Sequence, residues 1–293
     1  MSIRQEYEAY LQRQVTMGQQ FGEEADPFFN RYAGYVEPFR IYGNLYYIGD
    51  DWVCAYLIDT GEGLLLLDAG NFGSEGMLID AIWRLGFDPK NIRWIILSHG
   101  HMDHFGAVGL LKRLSNPELL LGEPDAKMFL ERPELSFLHH SMDIAGKLFT
   151  PDRLIGDGDV IRFGNTEVKF YMAPGHTEGT IACFFEAEEN GIKKRVGYFG
   201  GFGLNTLQKD YLLEIGDTSY SMRQKHIDSL ARVRDEKVDI FIPNHTFNVD
   251  IVGHRKRMLE EGVNPFLDDT VWAKYMDKRI EIVKRMMQDP ACN

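Results

Sequence analysis

The sequence predicts an α/β fold in which two β-sheets pack together with helices outside them, an αββα sandwich. Three observations lead there. Short apolar runs bounded by Gly or Asp recur along the chain, stretches with apolar residues at helical spacing separate them, and the two kinds alternate in two successive halves. Periodicity alone leaves an ordinary doubly wound sheet open as well.

An N-terminal stretch has helical spacing at Tyr7, Tyr10, Leu11 and Val15, and Pro27 breaks it. This predicts a helical extension over 1–34 and a single larger domain over 35–293. The runs NLYYIG, WVCAYLID and GLLLLD then read as strands. Gly70 and Gly73 mark a turn, and Leu78, Ile79, Ile82 and Leu85 predict a helix that stops near Gly86. A strand over Arg93–Ser98 precedes the polar loop HGHMDH and the helical stretch GAVGLLKRL. Next come a short strand LLLG, a helical region from about Pro124 to Lys147, and strands at Val160–Phe163, Glu167–Met172, Thr180–Glu186 and Val196–Phe199. A helix over Met222–Asp235 leads into the strand DIFIP, and a helix over Asp268–Met287 closes the chain.

Composition narrows the function classes. The chain has 293 residues, 44% of them hydrophobic, which suits a globular protein with a real core. Its formal net charge is −12 and its basic residues are scattered, so nucleic acid is an unexpected partner. The N-terminus lacks the apolar core of a secretory signal and no run approaches a membrane span, which predicts a cytoplasmic protein with no membrane partner. Cys54, Cys183 and Cys292 lack metal-type spacing and are odd in number, so reduced, mostly buried thiols are expected.

The chemistry concentrates in His99-Gly-His101-Met-Asp103-His104, which puts three imidazoles and a carboxylate on one loop after a strand. Neutral imidazole and carboxylate are good ligands for Zn²⁺ and its neighbours. A strand's C-terminal end before a helix is where α/β architectures site their chemistry. His176 in APGHTEGT and His245 in IPNHTF occupy comparable strand exits and complete the candidate set.

These motifs resemble the metallo-β-lactamase superfamily. EPFRIYGNLYYIG, LLLLDAG, LSHGHMDH, IGDGDVIRFG, APGHTEGT and NPFLDD are similar to the metallo-β-lactamase subclass with an all His/Asp dizinc site, over roughly Val36–Met286. The resemblance implies an αββα sandwich of two mixed sheets and two Zn²⁺ per chain. His99, His101 and His176 would hold one ion, and Asp103, His104 and His245 the other. Many branches bridge the two metals with an Asp after a later strand. Here that segment reads YFGGFG, with Gly200 or Gly201 in the place. Two dications with no carboxylate between them repel, so weaker binding of the second ion is expected.

The implied reaction is attack by a metal-activated water on a cyclic or activated amide or ester of a small molecule, β-lactamase-like, with a C–N bond favoured over an ester. Asp103 is the candidate catalytic residue, orienting the water and shuttling its proton. Alternatives are a cytoplasmic lactonase or amidase of the same superfamily and a mononuclear iron dioxygenase or redox member. Asp68 and Thr177 are candidates to hold the outer nitrogens of the rings, with Ser98 read as structural. Loops at Asp50–Trp52, Phe137–Asp143 and Gly201–Tyr211 would surround the metal edge, where Trp52, Phe137, His139, His140 and Phe202 could wall a pocket. His139 and His140 have no counterpart as ligands in the family pattern. His226 and His254 read as surface residues, and the oligomeric state stays open.

Overall fold

The computed structural model describes residues 34–136 and 147–292. By its contacts the chain divides after Tyr35, and the unit described is Val36–Asn293. The expected N-terminal helix, and Phe137, His139 and His140, lie outside the described residues.

Among the described residues, twelve strands form two sheets. The first carries β1 (Phe39–Tyr42), β2 (Leu45–Tyr47), β3 (Tyr56–Asp59), β4 (Leu64–Leu67), β5 (Ile92–Ile96), β6 (Glu118–Gly122) and β7 (Arg153–Ile155), in that order across the sheet. It is antiparallel from β1 to β4 and parallel from β4 to β7. The second runs β12 (Ile240–Pro243), β11 (Ile192–Phe199), β10 (Ile181–Glu189), β9 (Thr166–Met172) and β8 (Val160–Phe163). Among the described residues its only parallel pair is β11 with β12. Both sheets are therefore mixed, and helices flank them.

Side-chain alternation makes the layers. In β4, Leu65 and Leu67 join the cluster shared by the two sheets, while Leu64 and Leu66 join the one under the outer helices. In β10, Ile181, Cys183 and Phe185 face the first sheet, and Ala182 and Phe184 face a cluster with Trp272 and Met276. Both faces of each strand are covered, which explains why LLLL reads as a continuous apolar run.

The helices are α1 (Glu75–Arg84), α2 (Val108–Leu114), α3 (Glu123–Glu131), α4 (Pro133–Ser136), α5 (Lys209–Glu214), α6 (Ser221–Val233), α7 (Ile251–Glu261) and α8 (Val271–Gln288). The helix expected to begin near Pro124 stops at Glu131, because the residue before Pro133 is pushed out of the helical region; Arg132 has φ −141 and ψ 56. Strands β1 and β7 and helices α5 and α7 are additions to the sequence reading. Among the described residues no helix is long and apolar enough to cross a membrane.

The topology sends several chain exits to one edge. Strands β9 and β11 both run antiparallel to β10, so they share the direction of β12. The segments holding His176, Gly200 and His245 therefore leave the second sheet at the same end. Parallel β4 and β5 do the same for Asp68 and the His99 loop in the first sheet.

Candidate metal centre

The six predicted side chains converge where the two sheets' exits meet. His99 lies edge-on to His101 and His176, each with ring centres 4.7 Å away, and 4.3 Å from His104. His101 Nδ1 is 3.0 Å from His176 Nε2. Asp103 Oδ2 sits 3.5 Å from both His104 Nε2 and His245 Nε2. Two groups of donor atoms result, one from His99, His101 and His176 and one around Asp103 with His104 and His245. All six residues are buried.

Outer hydrogen bonds fix four of the rings. Nδ1 of His99 is 3.0 Å from Ser98 Oγ, and Nδ1 of His104 is 2.8 Å from Asp68 Oδ2. Nδ1 of His176 lies 3.0 Å from Thr206 Oγ1 and 3.2 Å from the Gly203 carbonyl, and Nδ1 of His245 is 3.1 Å from the Trp52 carbonyl. Each ring is thereby committed through one nitrogen and turns the other inward. Nε2 of His99 and of His104 is buried and finds no hydrogen-bond partner among the described residues, and His101 turns its Nδ1 toward His176 Nε2. A buried, unpaired nitrogen costs about 1–3 kcal/mol, and ring nitrogens gathered in this way beside a carboxylate are accounted for by a bound cation. The donors therefore fit a metal of the zinc type.

Electrostatics agree with that fit at His99, His101 and His245, and His104 is the exception. Burial, followed by the neighbouring imidazoles, pushes His99 well below its ordinary pKa, and burial lowers His101 and His245 to about 4. These rings are neutral at pH 7, with lone pairs available. Burial also opposes a charged His104, but Asp103 and Asp68 outweigh it and raise its pKa. Burial likewise resists a charged Asp103, yet His104 and His245 hold its carboxyl far below the usual range.

The positioning groups differ from the expectation in several places. Asp68 does hold His104, and it also accepts hydrogen bonds from the Ser98 amide at 2.7 Å and the Tyr198 hydroxyl at 2.5 Å. It does so from a left-handed backbone with φ 61, a conformation uncommon outside glycine. Thr177 touches no ring. Its hydroxyl donates to Asp125 at 2.8 Å, and the outer partners of His176 are Thr206 and Gly203. Ser98, read as structural, partners His99. Phe202 is core, stacked on Phe199 at 4.6 Å, so it walls no pocket. His226 is fully buried, with Phe199 edge-on at 6.1 Å; burial, then Arg279, lowers its pKa to about 3.

Sequence reasoning missed Asp125. This buried residue in α3 accepts from the Gly100 amide at 2.7 Å, the Gly179 amide at 2.8 Å and Thr177. It ties the loop of His99 and His101 to the loop of His176. Its signal in the sequence was only a carboxylate in the first turn of a helix, which ordinary helix-dipole effects already explain.

The glycines at the strand exit also have a physical reason. A Cβ on Gly200 would lie 2.7 Å from Ser98 Cβ and 2.8 Å from the Ile181 carbonyl, and one on Gly201 would lie 2.6 Å from His176 Cβ. The exit of β11 packs its backbone directly on the ligand loops. A side chain at either glycine would require the neighbouring ligand loops to shift.

Comparison with known proteins follows the same line. Residues 53–189 match the family model described as "Metallo-beta-lactamase superfamily". Among solved structures, the subclass B3 metallo-β-lactamase BJP-1 of Bradyrhizobium japonicum superposes with a TM-score of 0.77 at 24% identity, over 88% of this chain and 96% of that one. The class B3 di-zinc metallo-β-lactamase LRA-12 from an Alaskan soil metagenome gives 0.73 at 25% identity, over 87% and 96%. Among curated proteins, hydroxyacylglutathione hydrolase GloC of Haemophilus influenzae is 28% identical over 218 residues, 73% of this chain and 92% of that protein. An N-acyl homoserine lactonase of a Bacillus species is 26% identical over 166 residues, 47% of this chain and 60% of the lactonase, so the match spans less than two thirds of that relative.

Proposed function

We propose that this chain, whose residues 53–189 match the metallo-β-lactamase superfamily, is a zinc-dependent hydrolase of small molecules that opens a cyclic or activated amide or ester in the manner of a β-lactamase. The observation that carries this reading is the set of imidazole nitrogens gathered beside Asp103, with Nε2 of His99 and of His104 buried and without a hydrogen-bond partner among the described residues. His99, His101 and His176 would hold one zinc, and Asp103, His104 and His245 a second. When bound, zinc supplies a Lewis acid that lowers the pKa of water towards neutrality and polarises a carbonyl.

The remaining work falls to the chain's own groups. Ser98, Asp68, Thr206 and the Trp52 carbonyl keep four rings turned inward, so the ligand geometry exists before substrate arrives. Asp103 places Oδ2 3.5 Å from both His104 and His245, which leaves Oδ1 to orient the attacking water. Its depressed pKa keeps it ionised for that role at neutral pH.

The test is a zinc-loaded preparation assayed on a chromogenic cephalosporin and on a neutral lactone, beside Asp103→Ala. Turnover that falls at least 100-fold in a folded Asp103→Ala protein is expected; retained turnover would overturn the assignment. The lactonase similarity favours a second reading, ester-type ring opening, which negligible cephalosporin turnover with brisk lactone turnover would select. Iron near one equivalent with little zinc would overturn the choice of metal.

A further inference from the structure

We propose that Arg223 and Arg279 are positioning residues for His176. They clamp the loop from Phe202 to Leu207 by its backbone carbonyls, and that loop sets the tilt and the tautomer of the His176 ring. This rests on the reading of His176 as a zinc ligand and deepens it.

The loop meets the ring directly. Nδ1 of His176 lies 3.2 Å from the Gly203 carbonyl and 3.0 Å from Thr206 Oγ1. A carbonyl only accepts, so the Gly203 contact requires the ring proton on Nδ1 and leaves the lone pair on Nε2, the nitrogen that faces His101. The approach is close: a Cβ on Gly203 would lie 2.6 Å from His176 Cε1 and 2.8 Å from its Nδ1. A small shift of the loop therefore moves the ring or breaks its hydrogen bond.

Internal bonds curl this loop without tying it to the rest of the domain. The Leu207 amide donates to the Leu204 carbonyl at 3.1 Å and the Gln208 amide to the Asn205 carbonyl at 3.3 Å. The ties come from two helices, and each falls one residue outside a His176 contact. Half-buried Arg279 in α8 donates through Nη2 to the carbonyl of Phe202, the residue before Gly203. Arg223 in α6 donates through Nε to the carbonyl of Leu207, the residue after Thr206, at 2.9 Å. Its Nη2 donates to the Cys292 carbonyl at 2.6 Å. Arg223 is 1% exposed, and bonds from a guanidinium shielded from water are strong.

The two helices form a firm base for the clamp. Trp272 Nε1 donates to the Val233 carbonyl at 2.9 Å, Arg234 pairs with Asp277 at 2.8 Å, and Met222, Ile227, Val283 and Met286 share one core cluster. The placement of α6 and α8 thus reaches the His176 ring through two backbone carbonyls. The other rings rest elsewhere: His104 is held by Asp68 and His245 by the Trp52 carbonyl. Damage to the clamp should reach His176 and spare His104.

That selectivity is the test. Ring-nitrogen NMR on full-length protein with isotope-labelled histidine reads each tautomer without metal, with His176→Gln as the assignment control. Metal-free wild type should show His176 protonated on Nδ1. Arg223→Met and Arg279→Met keep side-chain bulk and remove the donors. In both, His176 should show mixed tautomers and faster ring-proton exchange while His104 is unchanged, and competition titration should show the first zinc bound about tenfold more weakly. Arg279→Lys, which keeps a donor for the Phe202 carbonyl, should restore most of the loss. Arg279, half-buried, carries the test alone if Arg223→Met does not fold. Folded variants with wild-type His176 signals and zinc affinity would overturn the clamp. Equal disturbance of His176 and His104 would overturn it too, as general loosening, and a wild type that binds no zinc would remove its premise. Absent turnover on every substrate, with ring signals and zinc binding as expected, would overturn only the hydrolase reading.

Discussion

Removing the Asp125 carboxylate should unlock two ligand loops at once. Oδ2 receives the Gly100 amide at 2.7 Å and the Thr177 hydroxyl at 2.8 Å, and Oδ1 receives the Gly179 amide at 2.8 Å. In Asp125→Ala the hydroxyl can turn to Thr180 Oγ1, already 2.8 Å away, but the two amides have no such alternative. Each stranded amide costs about 1–3 kcal/mol, a total of roughly 2–6 kcal/mol. Alanine also relieves a buried charge whose burial raises the Asp125 pKa to about 6, so the lower part of that range applies, about 2–4 kcal/mol. For a domain of this size that is a fall in Tm of roughly 5–15 °C. Asp125→Asn should do little better, since it keeps one acceptor oxygen and sets an amide donor against a backbone amide. Gly100 lies between His99 and His101, and Thr177 follows His176, so the damage falls on the first metal position. Calorimetry with and without chelator, together with zinc affinity by competition, should show zinc binding weakened on the order of tenfold. An Asn variant that melts and binds its first zinc like the wild type would refute the reasoning.

Three further outcomes follow from other contacts. Tyr198→Phe removes the hydroxyl that Asp68 shares with His104; a loss of about 1–2 kcal/mol is expected, with one zinc released at lower chelator concentration, and unchanged zinc release would argue against the chain from Tyr198 to His104. Gly201→Ala puts a methyl 2.6 Å from His176 Cβ and 3.0 Å from Thr180 Cγ2, which should cost about 1–3 kcal/mol and weaken zinc binding, while Gly200→Asp should not strengthen it; tighter zinc binding in the Asp variant would show that the exit has room for a bridging carboxylate. Cys54 and Cys183 are fully buried, and burial pushes both thiols well up, so a thiol reagent should label neither in the native state and both after unfolding; rapid native labelling of either would contradict the packing.

The parts of the candidate site that could be read in the sequence are those where the chemistry dictates residue type. Imidazole and carboxylate at strand exits have few other uses in such density, so His99 to His104 stood out, and His176 and His245 followed. The two-sheet sandwich was legible because strands covered on both faces read as continuous apolar runs, as in Leu64–Leu67. Short elements were not legible: β7 has only three residues, and α5 only six with one buried side chain.

What escaped the sequence is what holds the ligands still, and the reason is physical. Asp125 binds two backbone amides and a hydroxyl, and His176 and His245 rest on carbonyl oxygens of Gly203 and Trp52. Backbone groups are present at every residue, so their partners leave no pattern in residue type. Asp68 and Tyr198 sit 130 positions apart and meet only because β4 and β11 face each other across the inter-sheet core. Gly200 shows the same asymmetry from the other side. Sequence registers that a carboxylate is missing there, and only the structure shows the β11 exit packed so closely on Ser98 and the Ile181 carbonyl that a side chain would displace them. The identity of the candidate ligands is thus a local property of this chain, whereas their geometry depends on contacts made between the two sheets.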